Sequence, residues 1–540
     1  MDEELPKEFD LIVIGTGFPE TVVAAAASRI GKTVLHIDPN EYYGGSWSSF
    51  SLEAFIMLMD GRAIRNREIT HFQYQWHIPL EAEEEMQEQC EANNQKWSVS
   101  RLMQLSRKFN IDLCPKILYS SGKLVQLLIS SNICRYAEFR AIDRVCTVYQ
   151  NELLNVPCSR SDVFNTKDLN IVEKRLLMKF LTTCMAYGEN KCEEDSVEFR
   201  GRPFSEYLKK QQITEKINRC IMQAIAMVNE DTSFEEGMEK TKKFLQSLGR
   251  YGNTPFIFPM YGCGEIPQCF CRFCAVFGGI YCLKKEITDI HVEENGNKVI
   301  VEVENLQTIQ ADYVVCSPGN LTEQLKAMKE VKNHLSRGIF LSIQPLGGGE
   351  SAKNGGGTDG GVNLLRLLTS DGQREAICIQ LSCPSGTCPK GIYIYHLISP
   401  SISNDPATDL QPFKEVIFPD LSLLLMSAYF TITSYNYEPF DTNGRILVTD
   451  PPFYELDYDL SIENAYEIFK KLYNDAEFLP RAPDPEEIVI EGEDPRALIE
   501  NQLPEDLRAQ LHELEMATHN MDIEENMNIR AVTPKAMEAE

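Results

Sequence analysis

Three stretches of this chain hold residue types at spacings that could do chemistry. The first is Gly15-Thr16-Gly17-Phe18-Pro19-Glu20, set between an apolar run and an Ala-rich one. A dinucleotide fingerprint places Gly-x-Gly-x-x-Gly between a strand and a helix, so that a pyrophosphate rests on the free N–H groups at the helix start. Here Glu20 stands in place of the third glycine. A carboxylate there competes for the same donors, repels phosphate and adds bulk where helix and strand should close together. Asp38, 23 residues after Gly15, stands where a ribose-binding acid would, but is free to cap a turn instead. The second stretch, Ile446-Leu447-Val448-Thr449-Asp450, makes the same point. Flavoproteins of this kind end a late strand in Gly-Asp, whereas Thr449 precedes Asp450 here and Pro451-Pro452 follow. The residues read as a dinucleotide scaffold without its flavin, and no cofactor is expected.

The third stretch holds Cys263, Cys269, Cys271 and Cys274. Zinc sites need two well-spaced ligand pairs, and no second pair is present. Gly264-Glu265-Ile266-Pro267-Gln268 reads as a helix start, which would spread these thiols around one short helix. No metal is expected. The 8 histidines form no cluster. Neither a Gly-x-Ser-x-Gly elbow nor a phosphate-binding loop ending in Gly-Lys-Ser/Thr is found. Nothing reads as catalytic machinery.

These residues need elements to position them. Phe9 to Ile14 reads as a buried parallel strand, Glu20 to Arg29 as a helix and Thr33 to Ile37 as the next strand, a βαβ opening. The polar stretch 62–97, with acids at 81–85, reads as an insertion, partly helical or loose. Residues from Val163 to Leu248 follow helical periodicity. Leu176, Leu177, Phe180 and Leu181 share one face; Ile217, Ile221, Ala224, Ile225 and Val228 share another. Core packing is the simpler reading of both faces, although either would also suit a lipid cavity. Asn295-Gly296 between Ile287–Val292 and Val299–Val303 signals a hairpin. Further strands are expected at Tyr313–Cys316, Ala376–Leu381 and Ile392–Ile398. Gly347–Gly349 and Gly355–Gly357 mark a flexible loop. Beyond Asp484 the chain is acidic and lacks aromatic residues, so it is expected to be disordered apart from a short helix near Leu507–Met516.

A length of 540 residues calls for more than one domain. The expected division is a discontinuous α/β domain of FAD/NAD(P)-binding type with mixed sheets (1–160 and 250–483), a helical insert (161–249) and an acidic tail (484–540). The net charge of −28 argues against nucleic acid as a partner and suits basic protein surfaces. Seventeen cysteines without a disulfide framework, an acidic amino terminus and no long apolar run point to a reduced, cytosolic setting. Lys535–Glu540 is not a prenylation box.

Several motifs are more specific. Tyr42-Tyr43-Gly44-Gly45 is similar to the Tyr-Tyr-Gly-Gly of the Rab escort and Rab GDP-dissociation inhibitor superfamily. So are Gly249-Arg250-Tyr251-Gly252, the run from Tyr261 to Arg272, and Phe277-Gly278-Gly279-Ile280-Tyr281. The likeness spans about Lys7 to Asp494 apart from 62–97, which is shorter here than in some escort proteins. It implies a platform for GDP-bound Rab GTPases at Tyr43, Glu265 and Arg272, and a groove near Ile117–Ile133 for the Rab tail. An aromatic, an acid and an arginine suit such an interface.

Val163-Phe164-Asn165-Thr166-Lys167-Asp168-Leu169, with Arg175 after it, resembles the escort branch, as does Phe478-Leu479-Pro480 with 485–494. In that branch a phenylalanine enters a pocket on the α subunit of the Rab geranylgeranyltransferase α/β heterodimer, aided by an arginine eleven residues on. These roles fall to Phe164 and Arg175. Eleven residues make about three helical turns, which would put both on one side of a helix. The resemblance implies a non-catalytic escort that presents Rabs to the transferase, shelters the geranylgeranyl group and delivers the product from cytosol to membranes. A Rab GDP-dissociation inhibitor is the first alternative, disfavoured by Phe164. A flavin oxidoreductase is the second, disfavoured by Glu20.

Overall fold

The computed structural model describes residues 5–62, 68–81, 97–150, 152–188, 197–293, 296–304, 308–321, 330–347, 361–369, 371–436 and 444–483. Most of 62–97, the glycine-rich stretch after Gly347, Asn295 and the tail from residue 484 lie outside them.

The run Glu8–Ile14 (β1) is apolar at nearly every position from Phe9, and Leu11 to Ile14 are wholly buried. Such a run cannot have a wet face, so it sits mid-sheet between parallel neighbours. Leu11 pairs with Val34 of strand Val34–Asp38 (β2) on one side and with Tyr313 of strand Ile309–Cys316 on the other. Strands Ile280–Leu283 and Ile446–Val448 extend the parallel set. The hairpin Ile287–Val292/Val299–Val303 closes the sheet antiparallel, with Gly296 at φ +73° in its turn. Between β1 and β2 runs the helix Phe18–Arg29 (α1), buried from Phe18 to Ser28. Its four alanines let it lie close to the sheet and to helices Glu265–Val276 and Asp459–Leu472.

A second sheet has eight strands, in the order Ile69–Trp76, Leu424–Asn436, Glu330–Ser342, Tyr393–Pro400, Glu375–Ser382, Asn363–Leu368, Arg144–Tyr149 and Glu152–Asn155. Its first strand corrects an expectation. Ile69–Trp76, within the supposed insertion, pairs antiparallel with Leu424–Asn436 at the sheet edge.

Helices Arg160–Asn165, Ile171–Met185, Phe204–Lys210, Glu215–Cys220 and Phe234–Ser247 follow between strands Glu152–Asn155 and Phe256–Pro259. A π-helical turn, Ile221–Ile225, continues the fourth. Leu177, Phe180 and Ile221 belong to one apolar cluster with Ile377 and Ile379 of the eight-stranded sheet. Arg366 fastens the two: its guanidinium donates to the carbonyls of Met222 (3.3 Å) and Val228 (3.0 Å) and to Gln223 Oε1 (3.1 Å). Residues up to Arg481 form a single compact unit, and no described helix is long and apolar enough to cross a membrane.

Candidate functional site

The dinucleotide-like turn is built from β1 and α1. Gly15 sits at φ +97°, where a Cβ would collide with the Ser317 hydroxyl. Gly17 is the N-cap of α1, and Glu20 lies in its first turn, 2 % exposed. The Glu20 carboxyl folds back over Gly17: one oxygen accepts from the Thr449 hydroxyl, and the other, Oε2, has no hydrogen-bond partner among the described residues. Burial, reinforced by nearby Glu68 and Asp38, pushes this carboxyl up to about 8. Burial raises Asp38 and Glu68 as well.

A flavin does not fit these residues. The open space between them is about 50 Å³, against roughly 300–1,000 Å³ for an ordinary ligand pocket. No Lys or Arg is among the described residues lining it. Asp38 faces inward, accepting from Thr16 and Asn40 rather than toward a ribose. Asp450 pairs with Asn464, its N–H donating to Oδ1 (3.0 Å) while Asn464 Nδ2 donates back (3.0 Å). Incubated with excess FAD and desalted, the protein is expected to stay colourless. A stoichiometric flavin absorbance would overturn this reading.

Glu265 and Arg272 occupy the helix Glu265–Val276, two turns apart and so on one side. Its start is fixed by the left-handed Gly262 (φ +103°) and by two side-chain acceptors: buried Asp112 takes the Cys263 N–H at 2.8 Å and half-buried Ser49 the Gly264 N–H at 2.8 Å. Burial foremost raises Asp112 to about 6. Glu265 is half-buried and Arg272 exposed, and neither side chain makes a hydrogen bond or ion pair among the described residues. They do not brace the helix against each other.

Tyr43 stands nearby, half-buried, its ring edge-to-face with Tyr281 at 6.0 Å. Tyr281 in turn stacks on His36 (4.9 Å) and lies beside Cys271 and Cys274 of the same helix. The structure thus brings Tyr43 and the helix together through Tyr281, a contact that no local pattern announces. The other two cysteines turn elsewhere: Cys269 donates to Tyr136 O (3.0 Å), Cys263 to Lys116 O (3.4 Å).

Phe164 lies in the last turn of the short helix Arg160–Asn165 and is 72 % exposed. The single-helix expectation for Phe164 and Arg175 is corrected here. Thr166 turns extended (ψ 135°), and a new helix begins after Asn170, whose side chain forms a capping box with Glu173. Arg175 is exposed on that second helix, and Lys174 donates to the Phe164 carbonyl at 2.7 Å.

Behind them lies an apolar cavity of about 460 Å³, lined by Val163, Met178, Leu181, Met185, Leu245 and Leu248 among others. Of the two apolar faces read from sequence, Ile217–Val228 and the pair Leu177/Phe180 are core, while Leu181 lines the cavity. Met178 and Met185 were missed, although their spacing about Leu181 on one helix was the available signal. The stretch Ile117–Ile133 is largely core, with Ile129 outward at 53 %.

Comparison with known proteins agrees with this architecture. The family model described as GDP dissociation inhibitor matches residues 1–87 and 82–419. The chain is 56% identical over 526 residues to a Drosophila melanogaster protein named Rab proteins geranylgeranyltransferase component A, covering 97% of this chain and 100% of that one. It is 31% identical over 631 residues to the Rattus norvegicus component A 1, covering 91% and 95%. In fold it is similar to the crystal structure of Rab GDI from Plasmodium falciparum, with a TM-score of 0.67, 19% identity, and 89% and 100% of the chains covered. A dinucleotide-type sheet whose phosphate site is closed by its own acid, and a sequence match running from the first strand through the second sheet, lead to one assignment: the chain belongs to the GDP dissociation inhibitor family.

Proposed function

We propose that this chain is a Rab escort: it binds GDP-bound Rab GTPases, presents them to Rab geranylgeranyltransferase and carries the prenylated product to membranes. The Rab rests on Tyr43, Glu265 and Arg272, and its tail runs over the surface near Ile129. The helical segment 161–249 docks the transferase α/β heterodimer through Phe164 and Arg175. The apolar cavity takes the geranylgeranyl chain, whose burial is favourable by about 0.8 kcal/mol per CH₂. This chain supplies no catalytic group; the transferase does the chemistry. The escort works in the cytosol and meets membranes only at delivery.

The observation that carries the escort reading over the recycling one is Phe164, a large aromatic at 72 % exposure on a capped helix. With purified Rab, transferase and geranylgeranyl diphosphate, transfer should require this chain. Arg272→Ala should weaken Rab binding by about 1–3 kcal/mol through loss of a charged hydrogen-bonding group, with little change in Tm because the side chain is exposed. Full transfer without the chain, or unaltered Rab affinity in a folded Arg272→Ala, would sink the reading.

A further inference from the structure

The residues left over from the nucleotide motif grip the turn that carries Tyr43. The N–H and the hydroxyl of Thr16 both donate to Asp38 Oδ2, at 2.8 and 2.6 Å. The Thr16 hydroxyl oxygen then accepts the N–H of Gly44, next to Tyr43, at 2.9 Å. Two residues on, the Ser46 hydroxyl donates to Glu68, which also accepts the Gly319 N–H at 3.1 Å. All four side chains are buried, Thr16 and Asp38 at 1 % exposure. Gly44 itself is left-handed at φ +103°, and a Cβ there would press on the Ser48 backbone at 3.0 Å. The turn therefore requires glycine at position 44, and its inner side is held by hydrogen bonds among buried groups, where each counts for more than it would in water.

In a working dinucleotide site the acid after the second strand faces a ribose and the glycine turn faces phosphate. Here they face each other and, through Thr16, the next loop. We propose that the closed nucleotide cleft has become the base of the recognition loop, with Thr16 and Asp38 as positioning residues that set Tyr43 by holding the Gly44 N–H. The idea rests on the reading of Tyr43 as part of the Rab platform.

A double-mutant cycle tests it, read as affinity for a GDP-bound Rab together with Tm. Thr16→Val keeps the shape but removes the hydroxyl, leaving a buried N–H without its acceptor. Affinity is expected to fall about five- to tenfold, and Thr16→Ser should restore it. In a Tyr43→Ala background, Thr16→Val should cost nothing further, because its effect passes through that ring. An equal loss in both backgrounds, or no loss in either, overturns the proposal. If Tyr43→Ala alone leaves affinity unchanged, the platform reading has failed and the proposal falls with it. Should Thr16→Val not fold, Thr16→Ala, which also removes the hydroxyl that accepts the Gly44 N–H, carries the same cycle, with the same outcomes decisive.

Discussion

Phe164→Ala is expected to weaken binding to Rab geranylgeranyltransferase about thirty-fold or more, while Rab binding and Tm stay near those of the unmodified chain. The size follows from the site. An exposed aromatic that enters a partner's pocket is a typical hot spot, and its truncation costs about 2–4 kcal/mol. Tm should hold because the ring is 72 % exposed and makes no part of the core. The helix beneath it is kept by its own capping box, Ser159 with Asp162, and by the Lys174 contact to the Phe164 carbonyl, none of which the substitution touches. Prenylation should slow at limiting protein and recover when the variant is raised. A variant that supports transfer normally would return the recycling inhibitor to first place.

Glu20→Gln is expected to raise stability at alkaline pH and to leave it almost unchanged near pH 5. The folded chain holds the Glu20 proton up to about 8, chiefly through burial, against an ordinary value of 4.5. A raised value means that the folded state binds the proton more tightly. The stability this contributes is complete below about 4.5 and is lost as pH climbs through about 8. Each tenfold change in proton affinity is worth about 1.4 kcal/mol, so the loss amounts to a few kcal/mol by the end of the titration. Glutamine copies the protonated acid, can still accept from Thr449 and never ionises. The Tm advantage of the variant should therefore grow with pH. Asp38 and Glu68, raised by burial beside it, titrate in the same sense and leave a residual slope. A Tm difference that stays flat from pH 5 to about 8.5 would show that Glu20 is already ionised and compensated.

What could be read from sequence was local. The run Phe9–Ile14, the Gly15–Glu20 turn and the Ile287–Val303 hairpin carry their periods and turn residues within a few positions, and the structure matches them. Strand Ile69–Trp76 was hidden although its alternation was present: Phe72, Tyr74 and Trp76 are half-buried while His71, Gln73 and Gln75 are exposed. The polar residues flanking it masked that period. Asn170 and Glu173, spaced as a capping box, already announced the helix break between Phe164 and Arg175. By contrast, the cavity wall joins Val163 to Leu248, and Tyr43 meets its helix through Tyr281. Such juxtapositions depend on topology, which no window of sequence holds.

The apolar cluster shared by the helices and the eight-stranded sheet has a thermodynamic consequence. Leu177, Phe180 and Ile221 are buried at 0–3 % against a core that includes Ile377 and Ile379. Excised alone, the helical segment would expose that face to water, so it is not an autonomous folding unit. The two regions are therefore expected to melt as one cooperative block, and occupancy of a cavity among the helices should be felt as protection of strands that the ligand never touches. On the proposed function, loading with lipid and holding of a Rab would then be coupled through a common folding equilibrium, without any moving part between them.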